Sequence, residues 1–531
     1  MKKVQLKPKD LLLAKTLSDT EVATLLRPYG FRESLKADAN LQAIAENPRE
    51  RLLLSEMIEE ALTAFSESPD PDLSLHNFER FTQAAFSKIE LLSHLKHSPL
   101  TLYHAAFVFG ASPFFADILV RNPGYFYWVF SLPVLEGKKS KASLKRELSA
   151  ALRIAKTKDG QCDVLRIFKR KEILRIGVRD LVGAAKIEET LKEVSNLADV
   201  LIEKAHAVCE QDLRRKHGRP TLSPGMREKR GPMAGFAVIA LGKLGSRELN
   251  FSSDVDLIYV YDSREGETDG GRGTSVQNAV YYERLAKTVT AALNQPTGEG
   301  YVYRVDLRLR PEGEMGLITQ PLEGYRRYYQ KRGATWERMV LLRARTVSGD
   351  RTLGKAFLSL VDPFVFEKPC GAGEVHEIRC FKKRIDETVE LRKQLYLDVK
   401  RGFGGIREIE FIVQTLQLQH GCRNAALHHR GTISALKRLG RNNLLPAETT
   451  AALINAYRFL RNVENKLQML NDRQTHLLPT NPAEVETLAR RLGYDKDGPE
   501  SPAERLHSDL RRHTRQVHQA YEDLFAPAVA H

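Results

Sequence analysis

Two aspartates separated by one residue, Asp254 and Asp256 in Ser253-Asp254-Val255-Asp256-Leu257, run straight into the apolar stretch Leu257-Ile258-Tyr259-Val260. On a strand such residues share a face, about 6–7 Å apart along the backbone. Two carboxylates held that close repel each other unless a cation neutralises them, so the pair predicts a hard divalent ion bound through oxygen. Farther along, Asp306 sits inside Arg304-Val305-Asp306-Leu307-Arg308-Leu309-Arg310. If that segment lies beside the first pair, Asp306 completes a three-carboxylate cluster able to hold two Mg²⁺ ions about 3.5–4 Å apart. One ion would activate an attacking oxygen; the other would stabilise the leaving oxygen and orient phosphates. Arg308 and Arg310 alternate with Asp306 and so share its face, where guanidinium forks suit phosphate oxygens. Upstream, Gly242-Lys243-Leu244-Gly245-Ser246 closes an apolar run. A Gly-Ser turn lets backbone N–H groups approach a phosphate closely, which makes Lys243, Gly245 and Ser246 candidates for nucleotide contact. Two other Asp-x-Asp triplets, Asp70-Pro71-Asp72 and Asp495-Lys496-Asp497, lie in turn-like polar sequence without an apolar strand and are set aside.

Three strands must place these groups. Residues 236–241 form a short apolar run, residues 255–261 a second, and residues 301–309 alternate as a third. Residues 263–275, rich in Gly, Asp and Glu, read as a flexible loop, and residues 279–293 as a helix. This α/β character is confined to roughly residues 220–350. Before it the pattern is helical, as in Leu52, Met57, Ile58, Ala61 and Leu62. The apolar and aromatic stripe over 107–130 reads as helix core, and the basic segment 214–235 as a linker. From about residue 374 helices return, with Ile409, Ile412, Val413 and Leu416 on one face and Leu460, Val463, Leu467 and Leu470 on another. The expected architecture is α+β: a catalytic domain with a mixed sheet over 216–350, between all-helical domains over 1–215 and 351–531.

The chain has 531 residues, too many for one ordinary core, and a net charge of +15 that calls for an anionic partner. Basic clusters such as Arg214-Arg215-Lys216 and Arg227-Glu228-Lys229-Arg230 contribute, but without the interleaved aromatics of a single-strand stacking platform. No helix-turn-helix or zinc-finger spacing stands out. No apolar run reaches the roughly 18–20 residues of a membrane span, and the basic start has no apolar region behind it, so neither a membrane partner nor a secretory signal is expected. The five scattered cysteines form no Cys-x-x-Cys pair, which suits a reducing cytoplasm.

The stretch Gly242-Lys243-Leu244-Gly245-Ser246-Arg247-Glu248-Leu249-Asn250-Phe251-Ser252-Ser253-Asp254-Val255-Asp256-Leu257 resembles the signature of the glutamine synthetase adenylyltransferase/adenylyl-removing enzyme family. Arg304 to Pro311, Trp336-Glu337-Arg338, Gly404-Gly405-Ile406-Arg407-Glu408-Ile409-Glu410-Phe411 and Phe109-Gly110-Ala111-Ser112-Pro113 extend the match in order. The resemblance implies a DNA polymerase β-like nucleotidyltransferase fold, Asp254, Asp256 and Asp306 as metal ligands, and a tyrosine of glutamine synthetase as target. It further implies ATP, ADP and phosphate as small partners and a PII-type nitrogen regulator as a protein partner. Members of the family commonly carry two such modules, one removing AMP and one adding it; this chain has one. Asn250-Phe251-Ser252-Ser253, Trp336-Glu337-Arg338 and the Gly404 to Phe411 motif are more similar to the adenylyl-removing module. That favours phosphorolysis of tyrosyl-AMP to ADP, with ATP-dependent adenylylation as the other direction. A template-independent polymerase acting on nucleic acid and a non-catalytic regulatory module are the competing readings.

Secondary features have two readings each. Glu410, Gln414 and Gln417 form a polar stripe that either faces the cleft or serves the helix itself. Trp336-Glu337-Arg338 either positions a ligand or packs beside an ion pair. His428-His429 lacks partners at metal-ligand spacing.

Overall fold

Several helices begin at a residue whose side chain satisfies their first free amides. Asn47 and Glu50 form a capping box at the head of Pro48–Glu67, and Asp70 accepts from the Leu73 amide at the head of Pro71–Ala84. The computed structural model describes residues 6–223 and 233–525. Compactness divides the chain into one unit of Met1–Lys138, Ile173–Thr190 and Asn462–Leu510, and another of Lys139–Glu172, Leu191–Arg461 and Arg511–His531. Neither residue 215 nor residue 350 separates the two.

The first unit is helical around an aromatic core. Phe78 and Phe81 pack on Phe109, and Phe81 stacks on Phe126 with ring centroids 4.8 Å apart, so much of the 107–130 stripe is helix core. The two rejected triplets are structural here. Asp70 and Asp72 hold Arg32 at 2.7 and 3.2 Å, and Asp495 holds Arg505 at 2.8 Å. Among the described residues no single helix is long and apolar enough to cross a membrane.

The second unit contains the sheet: β1 (Phe236–Ala240), β2 (Val255–Tyr261), β3 (Val305–Asp306), β4 (Thr319–Pro321) and β5 (Arg345–Gly349). The order is β3-β2-β1-β5, with β4 beside the far end of β2; β1 runs antiparallel to β2 and β5, while β3 and β4 run parallel to β2. The sheet is therefore mixed, as expected. Every residue of β1 is buried, which explains its unbroken apolar sequence. Tyr282, on helix Asn278–Asn294, stacks on Phe236 and Tyr261 and covers one face.

Three expectations change. The third strand is two residues long rather than nine, because the Arg308 amide turns back onto the Asp306 carboxylate at 2.8 Å and the Arg310 amide onto the Leu307 carbonyl. Arg214, Arg215 and Lys216 are no linker; they close helix Ile187–His217, where cations complement the exposed carbonyls. The 227–230 cluster lies outside the described residues. The 263–275 loop is pinned, with the Arg219 amide on Asp269 at 2.8 Å and the Thr268 and Val276 backbones paired.

Candidate active site

The three aspartates meet at one end of the sheet. Parallel pairing of β2 with β3 puts Asp256 directly opposite Asp306, and Asp254 stands just before the first residue of β2. Asp256 is half-buried, and its carboxyl pKa is pushed up to about 6, first by loss of solvation, then by repulsion from Asp306 and Asp254. Asp306 is half-buried. Burial acts to raise its pKa, but hydrogen bonds from the Arg308 side chain and amide outweigh it and leave the group below its ordinary value. Asp254 accepts 2.7 Å from Nε of Arg304, whose Nη2 also reaches the Ser252 carbonyl at 2.6 Å. Two of the three carboxylates are thus neutralised by guanidinium groups, and among the described residues no cation is hydrogen-bonded to Asp256. Among the described residues no three acidic, imidazole or thiol groups stand together as metal ligands. The donor types nonetheless fit a divalent ion: all oxygen, with Asp256 and Asp306 directly opposed and Asp256 under repulsion from its neighbours.

The Gly-Ser turn packs against this pair. Gly242 has φ 52°, a left-handed backbone, and a Cβ there would collide with Oδ2 of Asp256. At Gly245 a Cβ would collide with the Arg343 carbonyl. The amides of Gly245 and Ser246 bond the carbonyls of Leu241 and Gly242, and the Ser246 hydroxyl bonds those of Lys243 and Gly242. In this arrangement these groups shape the turn. Arg345 holds the turn from outside. Its guanidinium lies on the carbonyls of Leu244 (2.8 Å) and Gly245 (3.2 Å) and forks onto buried Asp199.

Cations supplied from later in the sequence complete the site. Glu410 is buried on helix Ile406–His420, 3.0 Å from Arg343 and 3.7 Å from Arg407. Burial acts to raise its pKa, yet Arg343, Arg407, Lys243 and Lys400 together hold it down to about 2. Lys400 and Arg407 also act on Asp256, so the same cations face both carboxylates. Lys243 belongs to this positive rim through its attraction for Glu410. Arg308 is two-thirds exposed beside Asp306, open to a ligand. The Arg310 guanidinium instead lies on the carbonyls of Leu307 (2.8 Å), Glu314 (3.0 Å) and Gly316 (3.1 Å).

A buried polar chain fastens the segment between turn and aspartates. Glu248 accepts from the Thr432 amide (2.8 Å) and hydroxyl (2.9 Å) and from Tyr457 (3.0 Å). Arg461 bonds Tyr457, the Glu248 carbonyl and the Asn250 side chain. Of the secondary features, Gln414 and Gln417 bond backbone carbonyls of Met339 and Leu427 and are structural; only Glu410 of that stripe reaches the site. Glu337 caps its own helix and Arg338 holds Glu374 and the carbonyls of Val365 and Lys368, so that motif is structural too. His428 stacks on Phe366.

Arg304, Arg343, Arg345, Lys400 and Arg407 were missed as site residues. Arg304 had a visible signal, since it alternates with Asp306. Arg407 lies in the Gly404 to Phe411 motif, one helical turn from Glu410, whereas Arg343 and Arg345 pair across 67 and 146 residues and had no local signal.

A small mixed sheet with opposed aspartates behind a glycine turn and a cationic rim defines an α+β domain of the nucleotidyltransferase class. Residues 102–360 match the family model of glutamate-ammonia ligase adenylyltransferase. Residues 379–525 match a second family model, that of GlnD PII-uridylyltransferase. The chain is similar to the bifunctional glutamine synthetase adenylyltransferase/adenylyl-removing enzyme of Thioalkalivibrio sulfidiphilus, 36% identical over 81% of this chain and 43% of that protein. Its counterpart in Hahella chejuensis is 39% identical over 67% of this chain and 35% of that protein. That of Psychromonas ingrahamii is 37% identical over 80% and 43%. The chain thus spans less than half the length of the curated relatives it matches.

Proposed function

We propose that this chain is an enzyme that edits AMP on a tyrosine of glutamine synthetase, with phosphorolytic removal as its main direction. The supporting observation is the Asp256–Asp306 pair set in register behind Gly242 and faced by Lys400 and Arg407. In the reaction an oxygen of inorganic phosphate forms a bond to the AMP phosphorus. The bond from phosphorus to the tyrosine oxygen breaks, the phenolate takes up a proton, and ADP leaves. Lys243, Lys400, Arg407 and Arg308 attract and orient the two phosphates, whose joint negative charge otherwise opposes approach. Asp254, Asp256 and Asp306 are the residues that would hold Mg²⁺, two ions in this reading. Bound there, the metal would supply Lewis-acid stabilisation of charge on the phosphoryl oxygens. Addition of AMP from ATP passes through the same phosphorus and the same residues. Motif similarity to the adenylyl-removing module supports removal, and a PII-type protein is the proposed regulator, acting in the cytoplasm.

The test supplies the protein and Mg²⁺ with adenylylated glutamine synthetase plus phosphate, or with unmodified glutamine synthetase plus labelled ATP. ADP release is expected in the first assay, and Asp256→Asn should reduce it by at least about 100-fold. Label incorporation alone would reverse the direction; activity in neither assay, or in Asp256→Asn at the wild-type rate, would sink the reading.

A further inference from the structure

Immediately after Asp306 the chain forms a tightly fastened loop over residues 307–318. Arg310 spends its guanidinium on three carbonyls of this loop, those of Leu307, Glu314 and Gly316. Glu312 and Gly313 are both left-handed, at φ 62° and 57°, and a Cβ on Gly316 would collide with the Pro311 carbonyl. From outside, Arg332 holds the Glu312 carboxylate at 2.8 Å. Such a loop is ordered by its own bonds, not by a buried core of its own. Its tip nevertheless carries two large apolar side chains in water: Met315 is 93% exposed and Leu317 57%. Exposed apolar area is unfavourable by roughly 25 cal/mol per Å². A loop pinned this firmly while presenting apolar groups beside an active site has the form of a contact surface.

The candidate occupants differ in chemistry. A nucleotide needs cations, but of the loop's two arginines Arg308 sits at its start on Asp306 and Arg310 has its donors engaged, while the tip carries Glu312 and Glu314. A polypeptide with an apolar pocket edged by a basic residue fits both the apolar pair and the Glu314 carboxylate, Glu312 being held by Arg332. Methionine, flexible and polarizable, adapts to such a pocket.

We propose that the 307–318 loop, through Met315 and Leu317, docks the protein substrate and so brings its tyrosine to Asp306. The inference rests on the proposed function, because it takes a polypeptide as the substrate. Arg310 acts here as a positioning residue for the loop and not as a phosphate ligand.

The experiment compares wild type with the double variant Met315→Ser/Leu317→Ser, whose exposed positions leave folding undisturbed. Two substrates are used: adenylylated glutamine synthetase and a short tyrosyl-AMP peptide too small to reach the loop. Expected for the variant are a KM for the protein at least ten-fold higher, weaker binding to immobilised glutamine synthetase by a similar factor, and unchanged kinetics on the peptide. Leu52→Ser, at an exposed site on another helix, should match wild type throughout. Wild-type KM and binding in the double variant would overturn the inference, as would equal losses on protein and peptide, which would mean that the loop shapes the site itself. If wild type neither acts on nor binds glutamine synthetase, the functional reading fails, and the docking inference falls with it.

Discussion

Asp256 carries a cost that the folded chain does not itself relieve. With its pKa at about 6, above the 3.8 of an ordinary aspartate, the folded state holds a proton more tightly than the unfolded chain does. The sign follows from linkage: this group's contribution is fully present below pH 3.8 and is lost as pH rises through about 6. At neutral pH and without divalent ions, Asp256 is a half-buried charge under repulsion. Asp256→Asn is therefore expected to raise the Tm of ion-free protein at pH 7.5, on the order of 1 kcal/mol in stability, while abolishing activity. Mg²⁺ should stabilise wild type and leave the variant unmoved. A variant less stable than ion-free wild type at pH 7.5, measured by thermal unfolding, would contradict this account. The aspartates were legible in the sequence because strand alternation and a flanking apolar run constrain where they point. Partners such as Arg343 with Glu410 and Arg345 with Asp199 were not, because they lie 67 and 146 residues apart and no local period links them.

Helix Ile406–His420 shows why an element can be read correctly and its role missed. Its start at Gly404-Gly405 and its apolar face were visible, yet two acidic residues two positions apart serve different sides of it. Glu410 joins the cationic rim, whereas Glu408 is buried against Lys382 (3.0 Å) and His518 (3.2 Å). The Glu408 hydrogen bond raises the His518 pKa, against opposing desolvation, with Glu408 and Glu522 adding attraction and Lys382 repulsion. A raised histidine pKa stabilises the fold fully below about 6.5, its unfolded value, and the gain disappears as pH rises through the folded value. His518→Gln should consequently be less stable than wild type at pH 6 and indistinguishable from it by pH 9. Paired urea titrations at the two pH values check this; a gap that widened toward pH 9 would refute the ion pair. The same limit on legibility applies to β3, whose alternating sequence predicted a long strand. The Asp306 carboxylate captured the Arg308 amide and ended it, a side-chain contact that periodicity does not register.

At the scale of the chain, composition and pattern located the sheet but misplaced the boundaries of what folds together. The unit that holds the sheet also holds residues 351–461, and its buried polar chain shows why. Glu248 is tied to Thr432 and Tyr457, Asn250 to Arg461, and Arg343 to Glu410. A chain ending at residue 350 would keep every strand and all three aspartates. It would lose Glu410, Thr432, Tyr457 and Arg461, leaving the Arg343 and Glu248 charges without their partners and the apolar face beneath them in water. Removing one partner of a buried pair costs roughly 3–5 kcal/mol, and whole proteins are stable by only about 5–15 kcal/mol. The 1–350 fragment is expected to lack a cooperative unfolding transition and to show no activity in either direction, whereas residues 1–525 retain both. Circular dichroism on heating, together with the ADP-release assay, decides the matter. A soluble 1–350 fragment that melts cooperatively and releases ADP would show that the sheet stands alone and that the buried chain from Glu248 to Arg461 is dispensable.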